Sequence, residues 1–218
     1  MQRTYADRAD AGRALADALE THRAAPGTIV LGLPRGGVPV AYEIATRLDL
    51  PLDVLVVRKL GLPWQPELAM GAIASGGALV RNDEVMRYLG GRADAFEAVR
   101  ASEQRELERR ERDYRGDRPP LDLRNRTGIV VDDGLATGAT MEAAVRALKA
   151  SGARRVVVAV PVASPEARDR IAAVADEVVC LATPMLFSAV GQWYRDFGQT
   201  SDDEVRDLLA RAHARLET

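Results

Sequence analysis

The chain has 218 residues, 47% hydrophobic and 28% charged, which is enough for one α/β domain with a substantial core and too short for two full domains. A formal net charge of −2 supplies no global basic field, which disfavours nucleic acid as a partner. Cys180 is the only cysteine, so no intramolecular disulfide can form, and its setting in Val178-Val179-Cys180-Leu181 reads as core. Met1 to Glu20 carries charges throughout and no stretch approaches about 18 consecutive apolar residues; neither a signal peptide nor a membrane span is expected, and the protein is read as soluble and cytoplasmic.

In chain order, Asp7 to Leu19 has a helical pattern, and strand-like apolar runs follow at Thr28 to Leu33 and Asp53 to Val57, separated by the amphipathic stretch Val38 to Leu48. Arg58 to Leu68 holds two cations, a glycine, two prolines and a carboxylate without helical or strand period, and is expected to be a long mobile loop. Leu68 to Ala74, then Ser75-Gly76-Gly77, then Ala78 to Val80 reads as a hairpin attached to the sheet edge, its first arm antiparallel. Asn82 caps a short helix through Leu89. Ala93 to Arg115 is a longer helix whose Glu106 with Arg110, Glu108 with Arg112 and Glu111 with Arg115 stand four apart, the mark of a solvated face. After the connector Gly116 to Pro120 come strands at Thr127 to Val131, Arg155 to Val160 and Glu177 to Leu181, alternating with helices at Gly138 to Ala150 and Pro165 to Val174. Ser201-Asp202-Asp203-Glu204 is a capping box before a terminal amphipathic helix carrying Val205, Leu208, Leu209 and Ala212. His22 and His213 have no metal-ligand partner at useful spacing and read as surface residues.

This alternation predicts an α/β, doubly wound, mostly parallel sheet with an antiparallel edge hairpin and helices on both faces. Residues 1–218 form one domain, with 184–218, alone or joined by 1–22, as a small hood or terminal subdomain.

The most informative stretch is Ile129-Val130-Val131-Asp132-Asp133-Gly134-Leu135-Ala136-Thr137-Gly138-Ala139-Thr140. An apolar run reads as a parallel strand buried on both faces, and the loop after it opens a helix at the strand's carboxyl end. Gly134, Ala136, Gly138 and Ala139 let backbone N–H groups approach an anion, while Thr137 and Thr140 add hydroxyl donors and the helix terminus adds partial positive charge. Paired carboxylates would repel that anion, so Asp132 and Asp133 suit two vicinal hydroxyls of a ribose. The plain alternative is a strand-to-helix turn whose aspartates cap the helix. No Gly-Lys-Ser/Thr follows the glycines, which excludes a Walker-type loop.

The stretch resembles the 5-phosphoribosyl-1-pyrophosphate (PRPP) motif of type I phosphoribosyltransferases. By that resemblance, Leu33-Pro34-Arg35-Gly36-Gly37-Val38 is similar to the family's pyrophosphate loop: Arg35 offers a fixed cation, and Pro34, Gly36 and Gly37 bring the backbone close. In an open doubly wound sheet the two loops would face each other at the switch point. The resemblance further implies that Arg58 to Leu68 closes over PRPP, Arg58 and Lys59 reaching the phosphates and Glu67 approaching the base; the alternative is a surface loop with solvated charges. Leu135 belongs to the same binding loop. Residues 184–197 hold four of the ten aromatic side chains, either as a hood whose Trp193 and Tyr194 stack on a flat base or as packing of the tail onto the sheet.

The implied activity is a Mg²⁺-dependent transfer of phosphoribose from PRPP to a nitrogenous heteroaromatic base, with the metal carried through PRPP and Asp132 or Asp133 as its candidate protein contacts. Ala136 stands where 6-oxopurine members carry an acid, so the pattern is closer to the adenine type. The partners implied are these small molecules, with no nucleic acid and no membrane, and a homodimer is compatible. A PRPP-binding regulator without catalysis is the rival reading. A phosphohydrolase is less supported, because no further carboxylate or histidine cluster accompanies Asp132 and Asp133.

Overall fold

The computed structural model describes residues 4–88 and 93–216. Five strands form a parallel sheet in the order β2 (Leu52–Val54), β1 (Thr28–Gly32), β6 (Thr127–Val131), β7 (Arg155–Val160) and β8 (Glu177–Cys180). Continuous runs of branched apolar residues suit strands covered on both faces, and all five residues of β1 and of β6 are buried. The register places Val30 beside Leu52 on one side and Ile129 on the other, with Ile129 beside Val157.

Alternate residues feed two cores. Val30, Ile129, Val131 and Val157 point to one face, under α2 (Gly37–Leu48) and α7 (Asp202–Leu216). Leu31, Val130, Val156 and Val158 point to the other, under α5 (Ala139–Ala150) and α6 (Pro165–Ala172). The two-residue side-chain period thus sorts one continuous apolar strand into two layers. Because β1 sends its next strand to one side and β6 lies on the other, the chain reverses its winding between them, and the loops after β1 and β6 flank one crevice.

Beyond the parallel sheet, β3 (Val57–Leu62), β4 (Gln65–Ala74) and β5 (Ala78–Arg81) make a separate antiparallel sheet. The antiparallel pairing of β4 with β5 is as expected, but the hairpin forms its own sheet with β3 rather than extending the edge of the parallel one, and the expectation of a long irregular loop at Arg58 to Leu68 is corrected. Lys59 pairs with Ala72 and Leu60 with Gly71, and the ladder runs on to Leu62 with Gln65 through two register shifts. Leu60, Leu62 and Met70 are buried with Phe96 and Leu107 of α4 (Ala93–Arg115), and that apolar face is what turns the segment into strands.

Asn82 accepts from the Val85 N–H and caps α3 (Asp83–Tyr88), and Ser201 Oγ accepts from the Glu204 N–H ahead of α7. The expected end of the short helix at Leu89 lies outside the described residues. On α4 the Arg110–Glu106 pair forms at 2.8 Å, but Arg115 turns inward to Asp53 rather than to Glu111. Arg115 Nε and Nη2 donate to the two Asp53 carboxylate oxygens at 3.0 and 3.1 Å and Nη2 also donates to the Pro119 carbonyl, so a buried charge finds a buried counter-charge. His22 and His213 are half-buried rather than on the surface: His22 lies 3.6 Å from Glu177, and His213 meets Arg118. Cys180, expected in the core, is partly buried on the last strand.

Both ends of the chain meet. α1 (Arg8–Ala18) packs on α2, and the preceding Tyr5 donates its N–H to Trp193 O while accepting from Arg195. Tyr5, Ala11, Ala14, Val162, Trp193 and Tyr194 form a small third cluster. The first described residues therefore pack with residues 193–195. Among the described residues no helix is long and apolar enough to cross a membrane.

Candidate active site

The crevice is built by two loops that begin side by side: the Leu33 N–H donates to Val131 O at 2.9 Å, locking the ends of β1 and β6 together. The first loop closes through the Gly37 N–H to Leu33 O at 3.0 Å and the Val38 N–H to Arg35 O at 3.1 Å, and its Pro34–Arg35 peptide is cis. The N–H groups of Arg35 and Gly36 have no acceptor among the described residues, so they remain open to an anion.

Glycine is required here by distance. A Cβ on Gly36 would sit 2.1 Å from Asp133 Oδ2, and one on Gly37 would sit 2.5 Å from Val131 O. The pyrophosphate-type loop and the aspartate loop are therefore in direct contact.

The second loop runs from Asp132 to Gly138, where α5 starts. Leu135 is buried and pairs with Val162 and Ser164 through its N–H and carbonyl; Ser164 Oγ also donates to Ala136 O at 2.8 Å. Gly134 packs against Val190, and Gly138 adopts φ 73°, a left-handed conformation that favours glycine. The N–H groups of Ala136, Thr137 and Gly138 find no acceptor among the described residues, and that of Ala139 meets Thr137 Oγ1 at 3.4 Å. At the start of a helix, these open N–H groups have the chemistry that suits an anion. Gly138 is the residue at the N-cap and no side chain caps the helix, so Asp132 and Asp133 are not helix caps.

The two aspartates stand against each other. Burial, then the neighbouring charge of Asp133, pushes Asp132 well above its ordinary range. Burial also raises Asp133, opposed by the guanidinium of Arg8. Asp132 Oδ1 accepts from the Asp133 N–H at 2.9 Å, and Asp133 Oδ2 accepts from Arg8 Nε at 2.9 Å. Tyr194 donates its hydroxyl to the Asp133 carbonyl at 2.6 Å; burial, then the Asp133 charge, raises its phenol and keeps that proton in place. Two desolvated carboxylates with few donors are suited to hydroxyl donors or to a cation. Among the described residues no group of three or more His, Cys, Asp or Glu could hold a metal by itself.

The other anticipated residues are placed as follows. Arg35 lies in a cleft of about 210 Å³ with Arg109, Arg110 and Tyr114, its Nη1 3.9 Å from Asp202, which accepts the Tyr114 hydroxyl at 2.5 Å. Burial, then that bond, pushes the Tyr114 phenol up to about 12. Lys59 lines a cleft of about 440 Å³ shared with Ala139 at the start of α5. Arg58 does not reach the loops; it is held by Glu103 of α4 at 2.6 Å. Glu67 belongs to β4, and its side chain lies outside what is described. Trp193 and Tyr194 are buried within the terminal cluster, so neither ring is laid open as a stacking surface.

Arg8 is the residue that sequence reasoning missed. A lone arginine in the first helix, far from Asp133 in the chain, carries no spacing signal.

A doubly wound sheet with open N–H groups at a helix terminus and a carboxylate pair at its switch point has the chemistry that suits a phosphorylated sugar. Residues 4–191 match the profile of the phosphoribosyl transferase domain, and the chain belongs to that family. Two proteins of Mycobacterium tuberculosis, from strains CDC 1551 and H37Rv and both provisionally designated phosphoribosyl transferases, are each 54% identical over 209 residues, which is 96% of this chain and 47% of theirs. The chain spans about half the length of these curated relatives. The crystal structure of TT1426 from Thermus thermophilus is 47% identical, with a TM-score of 0.85 over 95% of this chain and 98% of that one.

Proposed function

We propose that this chain transfers the 5-phosphoribosyl group of PRPP to a ring nitrogen of a heteroaromatic base and releases pyrophosphate, a salvage reaction that makes a nucleotide from a free base. The observation that carries this reading is the contact of the loop at Leu33 to Gly37 with Asp132 and Asp133 at the head of the 132–140 cradle. One loop suits pyrophosphate, the cradle suits the 5-phosphate, and the carboxylates between them suit the ribose hydroxyls.

In the reaction the base nitrogen supplies an electron pair to the anomeric carbon, while the bond from that carbon to pyrophosphate breaks and its electron pair leaves with the phosphate oxygen. The configuration inverts. Positive charge builds on the ribosyl ring and negative charge on the leaving group. Asp132 and Asp133 fix the ring and favour its positive charge; Arg35 and the N–H groups of Arg35 and Gly36 receive the leaving anion. Arg35 is tethered only loosely to Asp202, at 3.9 Å, so an incoming pyrophosphate can replace that partner.

The residues fit a Mg²⁺ ion carried by the substrate rather than caged by the protein. Asp132 and Asp133 are hard oxygen donors next to an anion site and are fewer than a protein cage needs, so one of them would complete a shell supplied mainly by PRPP and water. The bound ion neutralises charge on the leaving pyrophosphate.

Ala136 leaves the cradle without an acid beside the base. Any purine, adenine included, must lose its imidazole-ring proton as the bond to ribose forms, and without a positioned group to take that proton the rate falls by about 10²- to 10⁴-fold. Because the Asp132 to Thr140 pattern, with Ala136, is closer to the adenine type, adenine or another amino-substituted base is the preferred acceptor, with Glu67 as the group that takes the proton if the β3–β4 hairpin brings it near. The test is pyrophosphate release with magnesium, PRPP and a panel of bases, for the wild type and for Glu67→Gln. Turnover with adenine well above hypoxanthine and guanine supports the reading. Efficient hypoxanthine or guanine turnover overturns the base assignment, an unimpaired Glu67→Gln removes Glu67 from the mechanism, and PRPP binding without turnover of any base makes the protein a PRPP-binding regulator.

A further inference from the structure

Arg8 lies outside both loops of the proposed site, yet it ties them to the hood. Its Nε donates to Asp133 Oδ2 at 2.9 Å, its Nη1 donates to the Gly198 carbonyl at 2.7 Å, and its guanidinium carbon sits 4.0 Å from the centroid of the Phe197 ring. Tyr194, which donates to the Asp133 carbonyl, stacks on the same Phe197 ring at 5.0 Å. The Arg8 and Asp133 side chains are only 13% and 15% exposed. A Cβ on Gly36 would come within 3.4 Å of Arg8 Nε as well as 2.1 Å of Asp133 Oδ2, so the pair lies directly on the pyrophosphate-type loop.

We propose that Arg8 is a positioning residue for the ribose-binding carboxylate: by taking Asp133 Oδ2 it presents Oδ1 to a ribose hydroxyl. The inference rests on the phosphoribosyltransferase reading above. Oδ1 is held by no other side chain among the described residues, whereas Oδ2 is committed to a guanidinium fixed at two further points. The planar fork of arginine sets the orientation of a carboxylate, which the point charge of lysine does not. The ring under the guanidinium shields the pair from water and strengthens the contact. Through this one side chain, the paired ends of the chain become part of the sugar site.

The test measures binding without requiring turnover. Ribose 5-phosphate, PRPP and pyrophosphate are titrated by calorimetry, with magnesium, into wild type, Arg8→Gln, Arg8→Lys, Asp133→Asn and the Arg8→Gln/Asp133→Asn double variant. Arg8→Gln should weaken ribose 5-phosphate and PRPP by about tenfold while leaving pyrophosphate, which has no ribose, unchanged. Arg8→Lys should recover part of the loss. Adding Arg8→Gln to Asp133→Asn should cost nothing further, because the arginine acts through that carboxylate.

Equal weakening of all three ligands would mean a merely structural role and overturn the proposal, as would losses that multiply in the double variant or an Arg8→Gln that binds ribose 5-phosphate like wild type. If Arg8→Gln fails to fold, Arg8→Lys decides by the same comparison of ribose 5-phosphate against pyrophosphate. A wild type that binds neither PRPP nor ribose 5-phosphate overturns the functional reading itself and this inference with it; a wild type that binds both leaves the reading standing whatever Arg8 does.

Discussion

Asp132 is kept half-buried near a second carboxylate, an arrangement that costs stability. Its pKa in the folded protein is raised above the ordinary value, with burial as the main cause. A raised carboxylate contributes stability that is fully present below the unfolded pKa, about 3.9, and is lost as the pH rises through the folded value. At neutral pH the native protein therefore carries the penalty of a carboxyl whose charged form folding disfavours. Asp132→Asn, permanently neutral and still able to accept from the Asp133 N–H, should raise the melting temperature at pH 7.5 by about 2 to 4 °C for each kcal/mol regained. The gain should vanish near pH 4, where the wild-type group is protonated as well, and the variant should lose affinity for ribose 5-phosphate; a melting temperature unchanged at pH 7.5 sinks the argument. Arg35→Ala should weaken pyrophosphate and PRPP by about 2 to 4 kcal/mol with little change in melting temperature, since the side chain is 40% exposed and its one carboxylate neighbour is 3.9 Å away. Calorimetry giving wild-type affinity would remove Arg35 from the site. At this scale the sequence exposed Asp132, Asp133, Gly36 and Gly37, because each belongs to a contiguous pattern with local chemistry. Arg8 was illegible, since its role depends on a contact made 125 residues away in the chain.

Among the elements, β1, β6 and β7 were legible to within a few residues because each is an apolar run buried on both sides. The hairpin was not. Gly61, Pro63 and Pro66 hide the two-residue alternation of β3 and β4, and the ladder skips from Gly61 with Ala69 to Leu62 with Gln65, leaving Pro66 in its irregular part. What makes the segment a strand pair is the apolar face of α4, a tertiary partner that no local window reveals. A closing role now has to be argued for a hairpin rather than a loose loop. Its base is anchored by Lys59 with Ala72 and by Arg58 to Glu103, whereas its end is bent by the register shifts and carries the exposed Trp64. Hydrogen exchange should therefore fall on PRPP addition at Gly61 to Gln65, while Ala69 to Ala74 stays as protected as before. Uniform exchange along both arms at saturating PRPP would show that the hairpin does not respond to the ligand. Glu103→Gln should release Arg58 and raise exchange in β3 without ligand; no change there would mean that the pair does not hold the strand.

Over the whole molecule, the sequence pattern anticipated a hood at the tail but left open whether the first residues belong to it, because a pairing between Tyr5 and residues 193–195 has no local signature. That pairing sets a timetable for assembly. The crossovers from β1 to β2 and from β6 through β8 use short loops, β1 and β6 pair across the whole antiparallel insert, and Arg8 meets partners 125 and 190 residues away, at Asp133 and Gly198. The Arg8 contacts also need β6 in place to present Asp133, so they are expected to form after the sheet. In a refolding experiment, helix signal in the far ultraviolet should recover before ribose 5-phosphate binding does. Asp133 stands half-buried at the end of the sheet and takes its counter-charge from Arg8, whose second hydrogen bond goes to Gly198, so a chain interrupted before Gly198 should keep a less firmly held guanidinium beside a site whose loops are already built.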